Sequence, residues 1–169
     1  MATWQDIKGG VVADTVYDNK QLVGKDIAFT LPGLAFLTAD VQAMGNMTVP
    51  LIGLLENLEL AITKIGLDKG IGRMNRLEKH EFEFRWVQNV VKSDGSMTVE
   101  GCKAFIRTLP GSFPETGVEI GSASEAENTY NVTRMQIYAG GEEIVCVDRL
   151  SQILRVDGVD YMKQISNLL

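Results

Sequence analysis

The sequence has 169 residues, with 22 acidic residues against 16 basic ones and a formal net charge of −6. This length favours a single domain with one core. A content of 45% hydrophobic and 22% charged residues is typical of a soluble globular protein rather than a disordered tail. No basic stripe that could neutralise phosphates is apparent, which argues against a gene regulator or a nucleic-acid coat.

The N-terminal part is predicted to contain short strands followed by a long loop. Residues 13–30 have the composition of strands, with turn formers at Asn19 and Gly24. The segment Gly33–Val49 lies between two prolines and has weak periodicity, so it is predicted to be a loop, and loops of this length usually have a function. Neither an export signal nor an apolar run long enough for a membrane helix is predicted.

The segment Leu54–Ile65 fits two patterns. Its leucines and isoleucines match a helical stripe, but they also alternate with other residues as in a half-buried strand. The β-branched residues near its end favour the strand. Because neighbouring residues of a strand face opposite sides, Glu59 and Thr63 would then lie on the exposed side. The residues predicted to face the core are Leu58, Leu60 and Ile62.

The central part carries the strongest strand signal. A short helix is predicted over residues 68–77 despite two glycines. From His80 to Val87, polar and apolar residues alternate with period two. Asp94-Gly95 then supplies a hairpin turn, and residues 97–109 return as a second strand.

The C-terminal part continues as strands and ends in a predicted helix. A polar loop over residues 112–124 precedes strands at 128–138 and 143–147, which are separated by the turn Gly140-Gly141. Apolar residues recur at helical spacing over residues 158–169, which predicts a terminal amphipathic helix. The chain is therefore predicted to be mainly antiparallel β, a sandwich or barrel with one or two short helices.

No residue pattern predicts a reaction. His80 is the only histidine, and it is interpreted as an ordinary strand-edge residue because the spacing supplies neither metal ligands nor catalytic partners. Cys102 and Cys146 are too few and too far apart for a disulfide framework or a zinc site, so they are predicted to be small buried hydrophobes. We therefore predict no enzyme, no cofactor and no metal.

Several segments together resemble the major tail tube family of contractile-tailed phages, which also supplies the tube of R-type bacteriocins. The resemblance covers residues 25–169, and its most specific part is the ending Ile153–Asp160 followed by a short helix. The other segments that carry it are Leu31–Leu34, Gly53–Glu59, Glu83–Trp86, Ser93–Val99, Lys103–Arg107, Pro110-Gly111, Asn128–Tyr138 and Glu142–Asp148.

The resemblance implies a structural subunit whose residues 1–169 form one tail tube domain. Six subunits would form a ring, each adding strands to a continuous inner β-barrel, and rings would stack into a hollow tube. Residues 1–24, which precede the part that resembles the family, would be an N-terminal arm or strand, and residues 33–49 a long assembly loop. The lumen face is assigned to Glu59 and Thr63. Strand pairing between subunits would remove exposed sheet edges.

The resemblance also implies the partners and the location of the protein. The tube would contact a sheath protein, baseplate proteins and a tail terminator, with a tape measure protein in its lumen. Driven through the target cell envelope, it would conduct DNA without binding it specifically, or ions in a headless bacteriocin. The subunit would be assembled in the bacterial cytoplasm into a virion tail or a phage-tail-like particle, without stable membrane association.

Three alternatives remain open on sequence alone. The hemolysin-coregulated protein of type VI secretion shares the ring-and-barrel plan, but the Asp157–Asp160 ending followed by a helix favours the phage tail family. A monomeric β-sandwich binding module would stay monomeric at high concentration. A hydrolase would require His80 in a pocket with carboxylates.

Overall fold

The structure is a computed structural model that describes residues 6–169. Twelve strands and two short helices follow one another within these residues. They are β1 (Ile7–Asp18), β2 (Gln21–Lys25), β3 (Ala28–Thr30), β4 (Phe36–Gln42), β5 (Asn46–Leu55), β6 (Glu59–Ile65), α1 (Lys69–Met74), β7 (His80–Val91), β8 (Met97–Thr108), β9 (Glu125–Ala139), β10 (Glu142–Asp148), β11 (Ile153–Val156), β12 (Val159–Asp160) and α2 (Lys163–Ser166).

The strands form two antiparallel sheets that share one strand, β9. The large sheet has the order β12-β11-β10-β9-β8-β7-β1-β2, and the small sheet has the order β3-β6-β9. Residues 125–131 of β9 pair with β6, whereas residues 132–139 pair with β8. A strand that passes from one sheet to the next closes the corner of a sandwich. The predicted fold class, mainly antiparallel β with short helices, is confirmed.

The core lies between the inner faces of the two sheets. Phe29 of the small sheet packs against Phe84 of the large one, with ring centroids 4.5 Å apart. Phe82 packs against Tyr130 at 5.0 Å. The largest fully buried side chains are Phe82, Phe84, Leu58, Leu60, Ile62, Ile71, Met74, Ile106, Met135, His80, Val16 and Val147.

Tight turns connect consecutive strands of the large sheet. Gly140 and Gly141 have φ values of +58° and +82°, as a two-residue hairpin turn between β9 and β10 requires. Asp157 and Gly158 have φ values of +51° and +77° and form a similar two-residue turn between β11 and β12. The predicted turn at Asp94-Gly95 and the strand pair around it are also confirmed.

The prediction of a loop at residues 33–49 is wrong in secondary structure. This segment contains β4 and the start of β5, which pair as a separate two-stranded hairpin with a turn at Met44-Gly45. Arg149 fixes its base by donating to the carbonyl oxygens of Glu56 at 3.0 Å and Leu55 at 3.3 Å. The role of the segment in assembly stays a prediction.

Both ends of the chain differ in part from expectation. The predicted helix over residues 158–169 is reduced to the single turn α2, because Val159 pairs with Val156 as a strand. In the N-terminal stretch predicted as an arm or strand, β1 is an ordinary sheet strand paired with β7, and residues 1–5 lie outside the described part.

A glycine permits the C-terminal segment to pack on the hairpin. Gly53 has a φ of +86°, and a Cβ at this position would lie 2.8 Å from the Met162 sulfur and 2.9 Å from Ile165 Cδ1. A side chain at residue 53 would therefore strain the backbone and force the side chains of Met162 and Ile165 to move.

Candidate functional site

The outer face of the small sheet is acidic, and its uncharged side chains are short except for Ile65. Its three glutamates come from β6 and β9, and no lysine or arginine of these strands lies on this face. We call this surface the acidic face. Its residues are Ala28, Thr30, Glu59, Ala61, Thr63, Ile65, Glu125, Glu127, Thr129 and Asn131.

Both residues predicted to face the lumen belong to the acidic face. Glu59 is exposed and lies opposite Asn131, and Thr63 lies opposite Glu127. The Asn57 amide lies 3.3 Å from Glu59 Oε1 and 2.9 Å from Asn131 Oδ1, so it links the two strands at this end of the sheet. The two predicted residues thus share one surface, and its position in a lumen stays a prediction.

The buried side chains on the other side of β6 determine that Glu59 and Thr63 point outward. Leu58, Leu60 and Ile62 are fully buried, as the alternation predicts. A shift of pairing by one residue would expose these side chains and bury Glu59, which a packed core does not tolerate. The hydrophobic pattern of β6 therefore fixes which residues form the acidic face.

The outer face of the large sheet has a different electrostatic character. Its basic and acidic side chains form ion pairs, as between Arg107 and Glu81 at 3.2 Å. Arg85 also lies 5.0 Å from the centre of the Tyr17 ring, over its face. The other pairs are Arg85–Glu83, Arg134–Asp148 and Arg155–Glu143. Of these two sheets, only the small one therefore has an outer face whose charged side chains are all negative.

The β4–β5 hairpin is amphipathic. Its polar side carries Asp40, whose carboxylate accepts a hydrogen bond from Thr48 at 3.1 Å. On its other side Val41 and Met47 are paired across the strands and are 44% and 48% exposed. We call this side the apolar hairpin face. Its residues are Leu37, Ala39, Val41, Met47, Val49 and Leu51.

The small sheet has two free edges within residues 6–169. Strand β3 pairs with β6 on one side only. On the side of β9 away from β6, the Leu109 amide donates to the Asn131 carbonyl at 3.0 Å, and no strand pairs with residues 125–130 beyond this bond. Free edges present unpaired backbone groups that can pair with another chain.

Sequence reasoning missed the environment of His80. The residue begins β7 as expected, but its side chain is 1% exposed and contacts the Asp18 carboxylate. Sixty-two positions separate the two residues in the chain, so no local signal joins them. The pair belongs to the buried interior and does not line the acidic face.

The described residues hold no assembly of metal ligands. Within residues 6–169, no group of three or more His, Cys, Asp or Glu side chains could hold a metal ion. Cys102 and Cys146 are buried and unbridged, and burial raises the pKa of the Cys102 thiol. In the same range, no helix is long and apolar enough to cross a bilayer.

The described part of the chain is thus a β-sandwich whose small sheet has two free edges. The model of the phage tail tube protein FII family matches residues 12–169. The chain belongs to this family, and it is therefore a structural component of a virion tail that assembles into a tube with other tail proteins. The search of curated proteins found no match to the chain.

Proposed function

We propose that the chain is the inner tube subunit of a contractile phage tail or a phage-tail-like particle, with the acidic face lining the channel. The observation that carries this proposal is the restriction of uniform negative charge to one sheet face, whose uncharged residues are mostly Ala, Thr and Asn. A wall of this kind repels the phosphates of DNA and offers few protruding groups to hold it. The tube conducts DNA, or ions if the particle is headless.

Six subunits close into a ring through the free edges of the small sheet. The edge of β3 on one copy and the edge of residues 125–130 on the next are different surfaces, so their contact is head-to-tail. Such a contact closes a ring when its rotation is a simple fraction of a turn. The joined small sheets form the inner barrel, and barrels of many strands enclose an aqueous channel.

Rings stack through the β4–β5 hairpin. The apolar hairpin face is only partly covered by its own subunit, and a neighbouring copy in the next ring would bury it. The hairpin is joined to the sandwich at its base by Arg149, so it projects as a defined arm. The sheath, baseplate, terminator and tape measure proteins are the remaining partners of this assembly.

Electron microscopy of the purified protein tests directly whether the chain is a tube subunit. Rings or hollow tubes at high concentration, or upon addition of a baseplate that nucleates assembly, are the expected result. Persistent monomers in the presence of native sheath and baseplate would instead indicate a small binding module.

Replacing Glu59 with lysine is expected to slow DNA passage without preventing assembly. Because the side chain is exposed, the substitution should change the stability of the subunit by less than about 0.5 kcal/mol. In a six-membered ring, six positive charges would replace six negative ones and attract the passing phosphates. The measurement is the rate of DNA ejection from particles built with the variant.

The matched control is Glu142→Lys, which makes the same charge change at an exposed position of the large sheet. Ejection from this variant should match that of the parent particle. Equal rates of DNA ejection for both variants and the parent would show that Glu59 does not line the lumen. Failure of the Glu59→Lys variant alone to assemble would place Glu59 at a subunit contact.

A further inference from the structure

The buried His80 ring has a hydrogen-bond acceptor at each of its two nitrogens. Nδ1 lies 3.0 Å and 3.2 Å from the two Asp18 carboxylate oxygens, and Nε2 lies 2.7 Å from the Arg76 carbonyl oxygen. A carbonyl oxygen only accepts, so Nε2 carries a hydrogen. If Nδ1 carried no hydrogen and Asp18 were ionised, two acceptors would face each other in the protein interior.

The surroundings favour keeping a proton in this pair. Asp18 and His80 are 2% and 1% exposed, and the ring is stacked on Phe82. The charged groups that act on Asp18 from the connection between α1 and β7 are Glu78 and Arg76. On β9, Tyr130 packs against the ring at 6.2 Å and is itself held neutral, since burial raises its pKa. An unpaired carboxylate in such a place would be costly.

We infer that Asp18 and His80 form a proton-dependent lock, in which one proton held between them fastens the connection between α1 and β7 to the end of β1. The proton lies in the Nδ1–carboxylate hydrogen bond, and the Nε2–H bond holds the Arg76 carbonyl. This lock concerns the stability of the subunit and does not rest on the proposed function.

The lock makes stability depend on pH in a defined direction. In the unfolded chain a histidine loses its proton near pH 6.5. The folded pair keeps the proton above that pH, so folding then takes up one proton. The contribution of the pair to the stability of the fold is fully present below about pH 6.5 and is lost as the pH rises. For each pH unit, the folding equilibrium constant falls by at most about tenfold. Burial also favours retention of the proton in the folded pair, because desolvation raises the pKa of Asp18 although the nearby imidazole lowers it.

Denaturant unfolding of the full chain between pH 6 and pH 9 measures this proton uptake. The matched variant is Asp18→Asn, whose amide can donate to a neutral Nδ1 while Nε2–H still donates to Arg76. The ratio of the folding equilibrium constants, parent over variant, should fall about tenfold per pH unit above about pH 6.5, where one proton is linked to folding. Parallel pH profiles for the two chains would overturn the inference.

A second measurement uses the parent chain alone, so it holds even if the variant does not fold. His80 is the only histidine in the sequence, and its imidazole nitrogen signals in a nuclear magnetic resonance spectrum are therefore unambiguous. At pH 8 in the folded protein Nε2 should carry a proton, and one further proton should lie between Nδ1 and the Asp18 carboxyl group, whose carbon signal is read in the same experiment. A neutral ring beside an ionised Asp18 carboxylate at pH 7 would contradict the assignment.

Discussion

Replacing Val41 with aspartate is expected to abolish tube assembly while the free subunit stays folded. The side chain lies on the apolar hairpin face and is 44% exposed, so it adds little to the stability of the subunit. In a stacked tube the same position would be buried, and an unpaired carboxylate in an apolar contact is strongly unfavourable. Sedimentation and electron microscopy at a concentration where the parent forms tubes measure the effect.

The control is the neighbouring substitution Gln42→Asp, which adds the same charge on the opposite side of the hairpin. This variant should assemble at nearly the parent level. Normal tubes from the Val41→Asp chain would show that the apolar hairpin face is not a contact between copies. Loss of assembly in both variants would point to a general effect of added negative charge.

Replacing Asn128 with leucine is expected to lower the free energy of unfolding by about 3 kcal/mol, since removing its amide takes a hydrogen-bond partner from several buried polar groups. The Asn128 amide donates to the carbonyl oxygens of Ile62 and Ala126, both at 3.2 Å. Its oxygen accepts from the Asn75 amide at 2.7 Å, which ties the end of α1 to β9. Urea unfolding of the free subunit provides the value.

Thr129→Leu serves as the comparison, because Thr129 is the next residue of β9 and lies on the exposed side. Its change in stability should stay within about 0.5 kcal/mol. An equal loss in the two variants would mean that leucine disturbs β9 itself rather than the buried hydrogen bonds.

The strands with regular alternation could be predicted from the sequence. Glu81–Trp86 alternates without exception and is followed by Asp94-Gly95, and the structure places β7, its turn and β8 there. The β4–β5 hairpin was missed although Leu37–Gln42 also alternates, because the flanking prolines and Gly45 favour a loop. The terminal helix was overestimated because the spacing of Val159 and Met162 suits a helix as well as a turn and a short strand.

The candidate surface could be predicted only in part, for a physical reason. The alternation of β6 indicates that Glu59 and Thr63 share a side, since that is a local property. The contribution of Glu125 and Glu127 depends on the pairing of β6 with β9, which is a long-range property. The contact between Asp18 and His80 likewise exists only because β1 lies beside β7.

The pairing of β1 with β7 has a consequence for folding during synthesis. Strand β1 is synthesised before β7, its long partner strand, which ends only at Val91. At a synthesis rate of about 5–20 residues per second, roughly 4–15 seconds pass between the end of β1 and the end of β7. During that time the edge of β1 that later pairs with β7 has no partner strand, although residues 15–18 can already pair with β2 on the other edge.

Once β7 and β8 are synthesised, their local hairpin forms on a scale of about 1–10 microseconds. It then offers β1 a complete edge to pair with. The β7–β8 hairpin is therefore the template on which the N-terminal strand folds, and a nascent chain stalled before Val91 exposes β1 to aggregation with its neighbours.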